Sequence, residues 1–100
     1  MENKSFKVFY AIEPNFGFGP KPTLARLGET HKVVRTVQAA DLEEVYASMQ
    51  GEVWSPHGEA RELIKSLGLK HTSMSVGDVV LDEEAKRYWM VAFIGFEELK

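Results

Sequence analysis

The densest run of reactive side chains lies between His71 and Asp78, in the stretch His-Thr-Ser-Met-Ser-Val-Gly-Asp. A histidine, hydroxyls and a carboxylate are the groups of a serine-hydrolase triad, in which a base activates the nucleophile and an acid orients the base. Neighbours on one strand seldom reach that geometry, whereas short polar side chains commonly bond backbone groups where a strand starts. We therefore expect no catalytic residue, and Ser73, Ser75 and Asp78 are the residues to test in this segment.

The remaining reactive groups are too scattered for a metal or phosphate site. The three histidines, at positions 31, 57 and 71, lack the short His-x-x-x-His spacing that builds a preorganised metal site. The absence of cysteine excludes thiolate nucleophiles, cysteine zinc sites and disulfides. Gly17-Phe18-Gly19 resembles the start of a phosphate loop, but Pro20 and Pro22 follow where a helix should begin. We expect no cofactor and no metal.

A second candidate is the loop at positions 14–22, which contains three prolines, two glycines and two phenylalanines. Its composition excludes regular structure. Phe16 and Phe18 could anchor a protein partner, because a stiff loop loses little entropy on binding. They could equally fold back over the sheet as a lid on the core. Phe16, Phe18 and Lys21 are the candidate partner-binding residues.

The elements that must position these residues follow from hydrophobic periodicity. Alternating or β-branched runs predict strands at Phe6–Ile12, His31–Gln38, Val76–Leu81 and Arg87–Ile94. Apolar repeats at helical spacing predict one helix after Asp41, ending at Gly51, and another after Ser55-Pro56, ending at Gly68. Glu97-Glu98-Leu99 is expected to form a closing turn or a short extension. The order β-β-α-α-β-β predicts an α+β domain with a mainly antiparallel sheet of about four strands and two short helices on one face.

The last predicted strand is apolar on both faces, which favours a central position in the sheet. Its side chains alternate between two sets: Tyr88, Met90, Ala92 and Ile94, or Trp89, Val91 and Phe93. If one sheet face carries no helix, one of these sets forms an apolar surface. A homodimer through that face is one partner that the pattern allows.

Composition describes one ordinary domain over residues 1–100, with 44% apolar and 27% charged residues. The charge is uneven, because residues 1–40, with the N-terminal strands and the glycine-proline loop, are net basic, whereas residues 41–100 are net acidic. Lys7, Lys21, Lys32 and Arg35 raise nucleic-acid or nucleotide binding as an alternative. A pI of about 5.6 and the absence of a dense basic stripe argue against a nucleic-acid partner.

The chain contains no apolar run long enough to span a bilayer, and its first ten residues lack the apolar core of a signal peptide. With no cysteine, the composition also suits a reducing compartment. We expect a cytoplasmic protein with no membrane partner.

From about Leu42 to Leu99 the sequence resembles the YodL-like domain, a family of bacterial, phage and mobile-element proteins. The family hallmark, Ser-Met-Ser-Val-Gly-Asp-Val-Val in this chain, occupies Ser73–Val80, and Gly95-Phe96 follows the next strand. Val45-Tyr46 and the helix around Leu63-Ile64 match the upstream pattern. Family members often carry serine where this chain has Gly77. The resemblance implies two helices and a hairpin over residues 41–100 and, by genetic context, a role toward a host protein.

These observations favour a small non-enzymatic protein-interaction module of bacterial, phage or mobile-element origin that modulates a host protein. One alternative is nucleic-acid or nucleotide binding through the basic N-terminal part. A further alternative is hydrolase-like activity in the His71–Asp78 segment.

Overall fold

The computed structural model describes residues 3–100 and shows one five-stranded antiparallel sheet with short helices. A single 3₁₀ turn at Leu24–Arg26 precedes the first helix. The strands are β1 (Lys4–Ala11), β2 (His31–Ala39), β3 (Val79–Asp82), β4 (Arg87–Val91) and β5 (Phe96–Leu99). The helices are α1 (Leu27–Thr30), α2 (Leu42–Ser48), α3 (Gly51–Trp54) and α4 (Arg61–Ser66). The predicted α+β class is therefore confirmed.

The strands lie in the order β2-β1-β3-β4-β5, and every neighbouring pair is antiparallel. β1 lies between β2 and β3, so strands from residues 1–40 and 41–100 share one sheet. β4 is internal, as its apolar sequence predicts. Within residues 3–100, no helix is long and apolar enough to cross a membrane.

The sheet has one strand more than predicted. The segment expected to form a closing turn or extension pairs with β4 instead, with Phe96 opposite Val91 and Leu99 opposite Tyr88. Phe93 and Ile94, which the periodicity assigns to the preceding strand, form the turn between β4 and β5. Two apolar residues in a tight turn continue the strand pattern, which is why periodicity alone extends β4 too far.

The predicted helix starts are correct in one case and early in the other. Before α2, Asp41 Oδ1 accepts a hydrogen bond from the Glu44 amide at 2.9 Å, as expected of a helix cap. The second helix begins at Arg61 rather than after Ser55-Pro56. There, Ser55 Oγ accepts a hydrogen bond from the Ala60 amide at 2.9 Å, which closes a turn ahead of the helix.

The two sheet faces carry unequal cores. The larger core joins one face to the segment containing α2, α3 and α4, and its largest fully buried side chains include Phe6, Val8, Tyr10, Val45, Met49 and Met74. On the opposite face Leu27 of α1 covers Val79 and Met90. This second face is therefore only partly open, and Phe9 and Tyr88 remain half-buried on it.

Candidate partner-binding surface

We call residues 71–78, which overlap the sequence hallmark at Ser73–Val80, the hallmark segment. It is organised around Asp78, which is fully buried. Its carboxylate accepts hydrogen bonds from the Ala11 amide, the Ser75 amide and His71 Nε2, each at 2.9 Å. Ala11 belongs to β1 and Ser75 to the loop before β3, so one carboxylate ties together segments that are distant in the chain. A buried carboxylate is stable in such a place only when donors replace the lost water.

His71 is held on two sides. Its ring stacks on Tyr10 with centroids 4.6 Å apart, while Nδ1 is buried without a hydrogen-bond partner. Burial raises the pKa of the Tyr10 phenol, which stays protonated and donates to the Thr72 carbonyl at 2.7 Å. The histidine, the tyrosine and the carboxylate form one structural cluster rather than an open cleft.

Neither serine of the hallmark segment completes a triad. Ser73 Oγ accepts a hydrogen bond from the Gly51 amide at 2.7 Å, at the start of α3. Ser75 Oγ lies 3.5 Å from Asp78 Oδ2, next to the acid rather than the base. Over residues 3–100 no hydroxyl bonds His71 Nδ1. The geometry thus gives the hydrolase alternative no activated nucleophile.

Gly77 has a backbone conformation that the segment requires. Its φ of +97° lies in the left-handed region, which side chains other than glycine rarely adopt. Its amide donates to the Val91 carbonyl at 2.9 Å, and its carbonyl accepts from His31 Nε2 at 2.8 Å. The hallmark segment therefore directs its polar groups into the fold.

The loop at positions 14–22 is the opposite case, because its large side chains reach solvent. Phe16 is 48% exposed and Phe18 is 87% exposed. In the β4–β5 turn, Phe93 is 68% and Ile94 is 93% exposed. The Phe18 and Phe93 rings meet edge to face with centroids 5.9 Å apart, so loop and turn form one surface. We call Phe16, Phe18, Phe93 and Ile94 the aromatic patch.

The loop is ordered by short hydrogen bonds of its own and packs closely against the turn. Asn15 Oδ1 accepts from the Gly17 amide, and the Asn15 carbonyl accepts from the Phe18 amide, both at 3.0 Å. Gly17 has a φ of +89°, and a Cβ there would lie 2.6 Å from the Phe93 ring. Only glycine allows this backbone to approach the ring so closely.

Lys21 fastens the loop to the sheet. Its Nζ lies 2.6 Å from Glu97 Oε1 on β5, and both side chains are largely exposed. Between loop and sheet lies a cavity of about 370 Å³, whose lining includes Pro20, Met90 and Ala92. Of the predicted partner-binding residues, the structure thus exposes the two phenylalanines and engages the lysine within the chain.

The four bases of the nucleic-acid alternative do not lie together. Lys7, Lys32 and Arg35 lie on β1 and β2, at one end of the sheet, whereas Lys21 pairs with β5 at the other end. The Arg35 guanidinium lies over the Trp54 ring, 5.3 Å from its centroid. Lys21 is therefore separated from the three bases on β1 and β2.

The sequence predicts an apolar surface that includes Phe93 or Ile94, but it does not predict that both residues lie together in a turn. They were assigned to a strand, yet Gly95, with a φ of +67°, marks the end of a two-residue turn. The Ala92 amide donates to the Gly95 carbonyl at 3.0 Å, which closes that turn. Gly95 lies four residues after Val91, the last paired residue of β4, and a glycine at that distance is a hairpin-loop signal that could have located the turn.

Comparisons of the chain with models of known protein families, with curated proteins and with solved structures find no match. Within the described part of the chain, no group of three or more His, Cys, Asp or Glu side chains could hold a metal ion.

Proposed function

We propose that the protein is a small non-enzymatic interaction module that binds a protein partner through the aromatic patch. The observation that carries this proposal is the exposure of four large apolar side chains on two adjoining segments, from 48% for Phe16 to 93% for Ile94. Scattered single apolar residues are normal on a surface, but a contiguous group marks a contact site. Aromatic anchors of this kind supply much of the binding energy of protein interfaces.

Two features of the patch support binding rather than simple exposure. The loop is braced by Asn15 and by the ion pair between Lys21 and Glu97, so less conformational entropy is lost when a partner docks. The adjacent cavity of about 370 Å³ is lined mainly by apolar groups and is large enough for an apolar side chain of the partner.

The resemblance of residues 42–99 to YodL-like domains supports a bacterial, phage or mobile-element setting and a host protein as the partner. The absence of cysteine supports a cytoplasmic site of action. The buried position of Asp78 and the engagement of both hallmark serines support a non-enzymatic role. In a homodimeric version of this proposal, the partner is a second copy of the chain.

The test is quantitative capture from a bacterial lysate on three immobilised proteins: the wild type, Phe18→Ser/Ile94→Ser, and Val53→Ser. Val53 is 57% exposed on α3, so Val53→Ser removes exposed apolar surface away from the patch. We expect the same proteins to be captured by the wild type and by Val53→Ser. The captured amount of each should be about tenfold lower on the double variant.

Retention of every captured protein by the double variant would overturn the proposal, as would a wild-type protein that captures nothing above the bare matrix. Light scattering on the same three proteins tests the homodimer. A wild-type mass of one chain at all concentrations excludes that form.

A further inference from the structure

β2 forms one free edge of the sheet, since it pairs with β1 and with no other described strand. It has nine residues and is the longest of the described strands. An edge strand presents unpaired amides and carbonyls that another extended chain can use. Most side chains along this edge are exposed: Lys32, Val33, Arg35, Thr36 and Gln38.

The direction of the free backbone groups follows from the ladder on the other side of β1. The Ser5 carbonyl accepts a hydrogen bond at 3.2 Å from the amide that follows β3, so Ser5 bonds toward β3. Bonding direction alternates along a strand, so Phe6 bonds toward β2, where its register partner is Val37. Thr36 and Gln38, on either side of Val37, therefore direct their amides and carbonyls outward to solvent.

The register shift between Val8 and Phe9 leaves Val34 as an extra residue in β2. Such a bulge interrupts regular pairing, and Val34 is buried in the larger core. The regular part of the free edge is consequently the run from Arg35 to Ala39.

This end of the sheet is basic. β1 and β2 contain Lys4, Lys7, Lys32 and Arg35 and no acidic residue. Across residues 3–100, only Lys4 of these four has a carboxylate at ion-pair distance, Asp82 at 2.9 Å. Because Lys32 and Arg35 are opposite Tyr10 and Val8, they share the helix-covered side of the sheet, whereas Lys7 lies on the other side.

The other edge has the opposite character. β5 has only four residues, with Glu97 and Glu98 and no base. Their carboxylates already face cations, Lys21 at 2.6 Å and Arg87 at 3.9 Å. A short, acidic edge would repel an acidic strand, so complementarity singles out β2.

We propose that β2 is a second interaction surface, which receives an extended acidic segment of a partner protein as a sixth strand. The backbone of that segment bonds Thr36 and Gln38, while carboxylates at alternate positions meet Lys32 and Arg35 on the helix-covered side. Small or apolar side chains of the segment face Val33 and Thr36 on the other side. This surface is separate from the aromatic patch and does not depend on it.

The probe is an end-capped ten-residue peptide in which glutamate alternates with threonine, titrated into the ¹⁵N-labelled full chain. We expect amide shifts concentrated at Val33, Thr36 and Gln38, and about tenfold weaker binding by Lys32→Glu/Arg35→Glu. Arg61→Glu/Lys65→Glu, two exposed changes on α4, is the charge-matched control and should bind as the wild type does. Phe18→Ser/Ile94→Ser should also bind the peptide normally, even if the aromatic patch proves inactive.

A peptide of the same sequence that is N-methylated at the strand-pairing positions separates strand addition from charge attraction. Equal binding of the methylated and unmethylated peptides would overturn the proposal, as would no binding of either. Tighter binding of a short DNA duplex to Lys32 and Arg35 would overturn it in favour of nucleic acid. Self-association that is lost in Lys32→Glu/Arg35→Glu would overturn it in favour of a second copy.

Discussion

The hallmark segment at 71–78 and the loop at 14–22 use their side chains in opposite ways. The hallmark segment has the groups of an active site, yet Asp78 and His71 face inward and bond the fold. The loop has little chemistry beyond apolar rings, yet Phe18 is 87% exposed. The reactive residue types therefore lie in the packed interior of this molecule, whereas the exposed rings form the surface that we propose binds a partner.

The contrast has an energetic basis. A buried carboxylate that serves several donors cannot be removed without leaving those donors unsatisfied, so it contributes to stability and specifies one arrangement. An exposed ring contributes little to the free energy of unfolding, and its burial remains to be gained when a partner binds.

The largest expected effect is that of Asp78→Ala. The change leaves the Ala11 and Ser75 amides and His71 Nε2 without their acceptor in a buried site. We expect a loss of about 3 kcal/mol in the free energy of unfolding, measured by urea denaturation. A loss below about 1 kcal/mol would show that Asp78 is not the structural centre of the segment.

Gly77→Ala comes next. No atom crowds a Cβ at this position, the nearest being Asn15 Oδ1 at 4.0 Å, so the cost arises from the φ of +97° alone. We expect a loss of about 1–2 kcal/mol in urea denaturation. Gly28→Ala, in α1 with nothing within 4 Å, is the control and should leave stability equal or slightly higher. Equal stability of both variants would contradict the backbone account.

The acid dependence of stability gives a smaller effect. Burial alone would raise the pKa of Asp82, but hydrogen bonds from the Ala85 amide and Lys4 outweigh it and hold that pKa below its ordinary value of 3.8. The folded chain therefore retains this stabilisation above pH 3.8 and loses it as the pH falls through the lowered folded pKa.

Asp82→Asn should consequently be less stable than the wild type at pH 7, and the difference should shrink at pH 3. Urea midpoints of both proteins at the two pH values measure it. If the difference between the two urea midpoints is the same at pH 7 and at pH 3, the Asp82 carboxylate does not contribute to the acid dependence of stability.

The smallest effect on stability is expected at the aromatic patch. Phe18→Ser/Ile94→Ser should change the free energy of unfolding by less than about 0.5 kcal/mol per site, because both side chains are mostly in water. We expect Asp78→Ala to lower the stability of the fold, and we expect the double variant to lower partner capture instead. A large loss of stability in the double variant would mean that the patch is a lid on the core.

Local signals in the sequence predicted much of the fold. The cap at Asp41 and the β-branched and aromatic runs of β1 and β2 are local signals, and the structure places this helix start and these two strands close to where the sequence predicts them. β5 was not predicted as a strand, because a four-residue strand with two glutamates is recognisable only from its pairing with β4. The partial cover of the second face was not predicted either, because it depends on the packing of Leu27 against Val79 and Met90, which are distant from it in the chain.

Less of the candidate site was accessible from sequence. Phe16 and Phe18 were recognised from loop composition, but whether they face solvent or the core is a tertiary property. The partner of Lys21 lies on β5, far along the chain, and no local pattern points to Glu97. The role of Asp78 likewise depends on Ala11, which belongs to β1.

The place of β1 in the sheet has a consequence for synthesis on the ribosome. β1 can pair with β2 as soon as both have emerged, but its second neighbour, which aligns Phe6 with Asp82, is translated much later. Until then the nascent chain carries a two-stranded hairpin with one open edge on β1 and the apolar side chains of Phe6, Val8 and Tyr10 uncovered. Such long-range pairing slows folding and exposes intermediates to aggregation, so the nascent hairpin is the stage at which a chaperone would be most useful.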